Sequence, residues 1–224
     1  MKKARKIATF FNSSTQALNE LLKRQSESTI SKFQGIPKKC LQDVVTRWWS
    51  TYRMLKHLLF LKTIIRDMID DDVIDLEDLT AYEWKICNQV CVTLTTMVHW
   101  QRVLEGEKYV TGSLVPLAIA SIRSSYITVI RSNATLPMVK QLTRILLKDF
   151  DQRYNPRPDG KLRYSSKVQI GHGQCYTGIH HYLFKAAYLD PRVHPALKKL
   201  MTAEDLQAVS YFKFNNFLLI HSLH

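Results

Sequence analysis

Glycine and proline are scarce, at seven residues each in a chain of 224. Turns are therefore sparse and elements long, which favours helices over a sheet of many short strands. Cysteine is scarcer still: Cys40, Cys87, Cys91 and Cys175. No secretory leader precedes them, so a reducing intracellular setting is expected and a disulfide framework is not. No apolar run is read as long enough to cross a bilayer, and Lys56 and Lys62 interrupt the best candidate. Phosphate-loop, dinucleotide and GxSxG fingerprints are missing, which removes the commonest nucleotide-binding and hydrolase readings. Acidic residues are also in short supply, 19 against 32 lysines and arginines.

What is present is apolar content of 46 %, ordinary for a globular protein. The net charge of +13 is unevenly placed. Residues 1–70 hold 14 basic and 5 acidic side chains, residues 71–109 hold 3 and 8, and residues 110–224 hold 15 and 6. Two basic segments flanking an acidic one point to a polyanion partner, or to lysine-rich outer faces on a helical protein.

Helical periodicity runs through most of the chain. Residues 2–25 read as one amphipathic helix with Ile7, Phe10, Phe11, Leu18, Leu21 and Leu22 on its apolar side. Its basic start, with no acid before Glu20, has the pattern of a mitochondrial presequence. Residues 26–46 form a connector, punctuated by Gly35-Ile36-Pro37 and anchored by Phe33. A second helix runs from Arg47 to Met68 with Trp48, Tyr52, Leu55, Leu58, Leu61, Ile65 and Met68 on one face. Asp70, Asp71, Asp72, Asp75, Glu77 and Asp78 make an acidic turn, read as a solvated loop rather than a metal cluster. A helix from Thr80 to Leu104 carries Trp84, Cys87, Cys91, Leu94 and Val98 on one stripe, where the two cysteines read as buried hydrophobes, not zinc ligands.

Thr111-Gly112-Ser113 offers caps for a helix to Arg131, kept thin by Ala118, Ala120, Ser121, Ser124 and Ser125. Thr135 caps the next, which runs to Tyr154 with Met138, Leu142, Ile145 and Phe150 expected inside. Lys140, Arg144 and Lys148 form a basic ridge on it, suited to phosphates or simply to water. Residues 155–175 are a basic loop bearing Arg157, Lys161, Arg163 and Lys167, with short β pieces around 167–170. A helix from Thr177 to Tyr188 ends at Leu189-Asp190-Pro191-Arg192, read as a structural corner, with Arg192 left to pair with Asp190 or with phosphate. Thr202-x-x-Asp205 resembles a capping box, and Val209, Phe212 and Phe217 are expected apolar contacts in the helix that follows. His172, Cys175, His180 and His181 cluster in sequence without a metal or nucleophile spacing.

Two stretches carry a resemblance. Thr46-Arg47-Trp48-x-Ser50-Thr51-Tyr52-x-Met54-Leu55 is similar to the TRWNSTYxML segment of hAT-superfamily DNA transposases, with Trp49 where those have Asn. About 140 residues on, Ala187-Tyr188-Leu189-Asp190-Pro191-Arg192 resembles their AxxLDPR motif. The family has a comparable basic helix just before its TRW motif, an alternative to the presequence reading. The resemblance implies a mainly α bundle corresponding to the helical insertion domain of a ribonuclease H-like transposase. It is expected here as a single domain over residues 1–224. The family's Asp-Asp-Glu triad holds two divalent metals. Both Asp residues precede the TRW motif and the Glu follows LDPR, so no acid of this chain occupies a matching position. The expectation is a non-catalytic DNA-binding fragment without catalytic residues, metal or cofactor; the alternatives are a helical protein–protein interaction module and a non-functional remnant of a decayed element. Its partner is expected to be DNA, with self-association as a second, no membrane, and a nuclear location. Arg47 and Trp48 inherit by resemblance a role at transposon ends, Trp48 supporting a flipped base. For Trp48 two readings stay open, core residue or stacking surface. Arg53, Lys140, Arg144, Lys148 and Arg163 complete the expected DNA-binding set.

Overall fold

The computed structural model describes residues 1–44, 48–106, 111–154, 157, 159–162, 164–165 and 178–210. The fold is mainly α, as expected. Contacts divide the chain into two compact units, Met1–Leu94 and Thr95–His224, each described by itself.

The first unit holds α1 (Lys2–Ser13), α2 (Thr15–Glu27), a 3-10 turn (Ser31–Phe33), α3 (Trp48–Asp70) and the opening of α4 (Ala81–Leu104). The single helix expected over 2–25 is broken in two. Ser14 is extended (φ −106°, ψ 107°), and its hydroxyl accepts from the Ala17 N–H at 3.2 Å. A local side-chain bond of this kind offers the backbone an alternative to continued helix. The two halves then pack on each other and on α3. Tyr52, Leu55, Leu58, Leu61, Ile65 and Met68 of α3 are buried as their spacing predicts, and Met54 and Ile64 join them. Phe33 is buried as expected, edge-on to Phe60 at 5.1 Å.

The connector is more ordered than a polar loop would be. Its final stretch, residues 37–44, is an irregular strap bonded to helices on both sides. Gln25 exchanges two bonds with Lys38, its Nε2 donating to the carbonyl (2.9 Å) and its Oε1 accepting from the N–H (2.8 Å). Asn12 donates to the Cys40 carbonyl at 3.2 Å, and Thr9 to Gln42 at 3.2 Å. The Gln25 and Asn12 bonds satisfy backbone groups that neither helix nor sheet would pair. The acidic turn is likewise partly bound. Asp71 pairs with Arg24, and Asp78 with Arg66, the Leu79 N–H and the Trp84 indole. Thr80 and Glu83 then form a reciprocal capping box at the start of α4. Trp84, Cys87 and Cys91 lie buried on the expected stripe.

The second unit holds the rest of α4, a 3-10 turn (Gly112–Leu114), α5 (Val115–Arg131), α6 (Pro137–Tyr154), α7 (His181–Leu189) and α8 (His194–Leu200). Residues 203–210 are also helical. Its core joins Ile119, Leu162, Ile179, Phe184, Ala187, Val193, Leu197, Met201 and Val209. Three expectations are corrected here. First, α7 begins at His181, not Thr177. Ile179–His180 instead forms a two-residue parallel pair, β2, with Tyr164–Ser165, β1, and His180 Nδ1 accepts from the Tyr182 N–H as the cap of α7. Second, Met138, Leu142 and Ile145 are exposed, while Val139 and Thr143 are buried. The small side chains of α5 let α6 approach through this other face. Third, Gly112–Arg131 is long and apolar enough to cross a membrane by length and composition. Its buried Pro116, Ala118, Ile119, Ile122 and Tyr126, and the pairing of Arg123 with Asp151 in α6, give it one packed face within this unit.

Within residues 155–175, Arg157 is bound to Asp205 at 2.6 Å, and Leu162 is buried with its N–H on the Leu200 carbonyl. These parts are framework, not an open basic loop. The Thr202 box is half formed: the Asp205 N–H donates to Thr202 Oγ1, while the Asp205 carboxylate serves Arg157. The β pieces near 167–170, His172, Cys175, Phe212 and Phe217 lie outside the described residues.

Candidate nucleic-acid interface

The segment Thr46–Leu55 sorts into residues with structural work and residues without it. Thr46 and Arg47 lie outside the described residues. Trp48 is the first residue of α3, and its side chain is outside them too. Ser50 closes the approach: its hydroxyl accepts from the Val44 N–H at 2.8 Å and donates to the Val44 carbonyl at 2.9 Å. Thr51 donates to Asp43 at 3.1 Å, and the buried Asp43 carboxylate also takes Arg5 Nε at 2.7 Å. Tyr52, Met54 and Leu55 are core. Ser50 and Thr51 thus bind the end of the strap, and the next three apolar residues fill the interior.

Of the remaining side chains, Arg53 is exposed, its guanidinium carbon 5.0 Å from the centroid of the half-buried Trp49 ring. Trp49 therefore supplies a flat surface under a cation, which an Asn at that place would not. Together they present a positive charge and a ring edge at the N-terminal turn of α3, where backbone N–H groups also lack helical partners.

In the second unit, Arg144 and Lys148 are exposed along α6 and Lys140 is half-buried. None of the three has a carboxylate within ion-pair distance among the described residues. Neighbouring cations are different: Arg123 is bidentate to Asp151 (2.8 and 3.2 Å) and Arg153 to Asp149 (2.8 and 3.2 Å). α6 therefore separates cations tied to acids from cations left to solvent. Arg163 lies outside the described residues.

Leu189-Asp190-Pro191-Arg192 is a corner, as expected. Asp190 accepts from the Arg192 N–H at 3.0 Å and takes its guanidinium through both oxygens, at 2.9 and 2.7 Å. The same carboxylate accepts the Ser113 hydroxyl at 2.7 Å across 77 residues of sequence. The Arg192 guanidinium, then the Ser113 hydroxyl, hold the Asp190 carboxyl well below the usual carboxylate range. Ser113, expected as a cap for α5, has a different role, and sequence offered no signal for it. Arg192 is bound to Asp190, one of the two partners considered for it.

The cysteines Cys40, Cys87 and Cys91 are free and buried. Burial pushes the Cys40 and Cys91 thiols up to about 12. Such thiols are inert hydrophobes at neutral pH. Among the described residues no three His, Cys, Asp or Glu side chains stand together as a metal site.

Comparison with known proteins gives two findings. Residues 1–93 match the family model of the ZBED1 RNase-like helical domain. That boundary falls within one residue of the first compact unit, Met1–Leu94. A putative AC transposase of Zea mays is 30 % identical over 116 residues, which are 51 % of this chain and 14 % of that protein. The chain therefore spans about a seventh of the curated relative it matches. No solved structure matches it. The resemblance to hAT transposases is borne out by both findings.

Proposed function

Proceeding from a chain whose first 93 residues match the ZBED1 RNase-like helical domain, we propose that it is a non-catalytic, DNA-binding piece of a hAT-type transposase. Its substrate contacts are to transposon-end DNA, and its place of action is the nucleus. The Asp-Asp-Glu carboxylates of the reaction belong outside these 224 residues. One observation carries this reading. In the transposase-like segment, Ser50, Thr51, Tyr52, Met54 and Leu55 are occupied by the fold, while Arg53 and Trp49 are not.

Arg47 and Trp48 are assigned to the DNA end, Trp48 as the surface against which an unstacked base rests. Arg53, Lys140, Arg144, Lys148 and Arg163 are assigned to phosphates. The test is titration of the chain with a terminal-hairpin oligonucleotide and with a plain duplex at several salt concentrations. Affinity falls steeply with salt if several phosphates are held. Trp48→Ala weakens hairpin binding roughly 5- to 150-fold, since stacking of one base on an aromatic ring is worth ~1–3 kcal/mol. Helix content by circular dichroism stays unchanged. No binding at low salt ends the DNA reading, and loss of helix in the variant makes Trp48 a core residue.

A further inference from the structure

We propose that the strap and the outer stripe of α3 form a track for a nucleic-acid phosphate backbone, held by Lys32, Lys38, Arg53 and Lys56. The inference rests on the DNA-binding reading above and deepens it with a site in the first unit.

Two sets stand out among the cations of this unit. Lys3, Arg5, Arg24 and Arg66 pair with carboxylates at 2.6 to 3.1 Å. Lys32, Lys38, Arg53 and Lys56 lie over aromatic rings instead, at 4.6 Å from Phe33, 4.3 Å from Phe60, 5.0 Å from Trp49 and 5.7 Å from Tyr52. No carboxylate is within ion-pair distance of these four among the described residues. A ring face positions a cation without neutralising it, so the full charge remains available to an anion.

Two of the four, Arg53 and Lys56, lie on one stripe of α3, and the other two meet its far end. Trp49, Arg53, Lys56 and Phe60 follow one another at spacings of four, three and four residues, one stripe of α3. At ~1.5 Å per residue this stripe is about 16 Å long. Phe60 closes its far end and receives Lys38 at 4.3 Å and Lys32 at 5.9 Å from the connector. Lys38 is fixed by the two Gln25 bonds to its backbone, and Lys32 donates to Thr63 at 3.2 Å. The charges are therefore held in place before any ligand arrives, which lowers the ordering cost of binding. His57 sits beside the stripe with Nδ1 on the Lys39 carbonyl at 3.1 Å. It faces Lys38, Arg53 and Lys56, and its proton affinity is held down by burial first and then by these charges. Cations gathered without acids between them repel one another, and a phosphate chain removes that repulsion. Trp49 and Phe60, both half-buried, add ring surface of the kind that single strands stack on.

The test compares the full chain with a Lys38→Gln, Lys56→Gln double variant. Each is titrated by fluorescence anisotropy with a duplex and with a single strand of equal length, from low to physiological salt. Loss of two phosphate contacts reduces the slope of log affinity against log salt by about 1.8 for a duplex, or about 1.4 for a single strand. The probe whose slope falls by the full amount expected for its own form identifies which form occupies the track. A salt-dependent wild type whose slope the variant leaves unchanged overturns the track while the DNA reading stands. A wild type with no salt dependence sinks both. Retained oligonucleotide slope with lost binding to phosphatidylserine vesicles makes the stripe a membrane contact and also overturns it. Lys56→Gln alone, at an exposed helix position, reads half the effect should the double variant unfold.

Discussion

Cutting the chain after Leu94 should leave a piece that folds by itself. The cut keeps α1, α2, α3 and the capped opening of α4, with buried Trp84, Cys87 and Cys91. It removes the last ten residues of α4, which belong to the other unit. Among the described residues, the largest fully buried side chains lie mostly in this piece: Ile7, Phe11, Leu21, Met54, Leu55, Leu58, Leu61, Ile65 and Met68. At ~0.05–0.15 kcal/mol per residue, 94 residues correspond to about 5–14 kcal/mol of stability. Urea unfolding followed by circular dichroism should show one cooperative transition with a slope of ~1–3 kcal/mol per molar. Phe11→Ala, at a position with no solvent exposure, should then cost ~3–5 kcal/mol. That moves the midpoint down by one molar or more at the steeper slopes, and unfolds a piece at the low end of the range. A gradual, non-cooperative signal from residues 1–94 would refute the reasoning, because the family boundary and the contact boundary would then mark no folding unit.

Arg144→Gln with Lys148→Gln should reduce the salt slope of duplex binding by about 1.8, whereas Arg153→Gln, whose charge is already tied to Asp149, should change it far less. Val139→Ala should cost ~2 kcal/mol in chemical unfolding, and Ile145→Ala less than ~0.5 kcal/mol, reversing the order the apolar spacing of α6 predicts. The depressed Asp190 carboxyl contributes stability that is complete above its unfolded pKa of ~3.9 and is lost as pH falls below it, so thermal midpoints of Asp190→Asn should vary less with pH across that range. Cys40 and Cys91 should resist iodoacetamide at pH 8 in the native chain and react in urea, as read by peptide mapping; rapid native labelling would mean they are not buried thiols.

Much of this fold was legible because it is written in local signals. The three- and four-residue spacing of α3 names its buried face, and Asp190-Pro191 names a corner, since both depend on neighbours in sequence. The errors arose where local signals tie. The apolar residues of 2–25 allow one helix or two, and a single hydroxyl, Ser14, decides for two. α6 offers two apolar faces, and its packing against α5 selects Val139 over Ile145. The strap was unreadable for another reason. Gln25, Asn12, Thr9, Arg5 and Ser50 hold it through polar bonds of no fixed period, many of them between distant parts of the chain. The candidate site follows the same division. Arg53 was visible as a charge on a helix, but the rings beneath the cations, and the absence of acids beside them, appear only once the helix and the strap are brought together.

The Ser113–Asp190 hydrogen bond bears on how sequences that carry this motif are to be recognised. A copy whose open reading frame starts downstream of residue 113 still spells Leu-Asp-Pro-Arg and scores as a match by its letters. It has nevertheless lost the hydroxyl that seats the aspartate, so the text of the motif and its shape are inherited separately. Screening genomes for a serine some 77 positions ahead of the motif would sort copies able to build the corner from those that merely quote it.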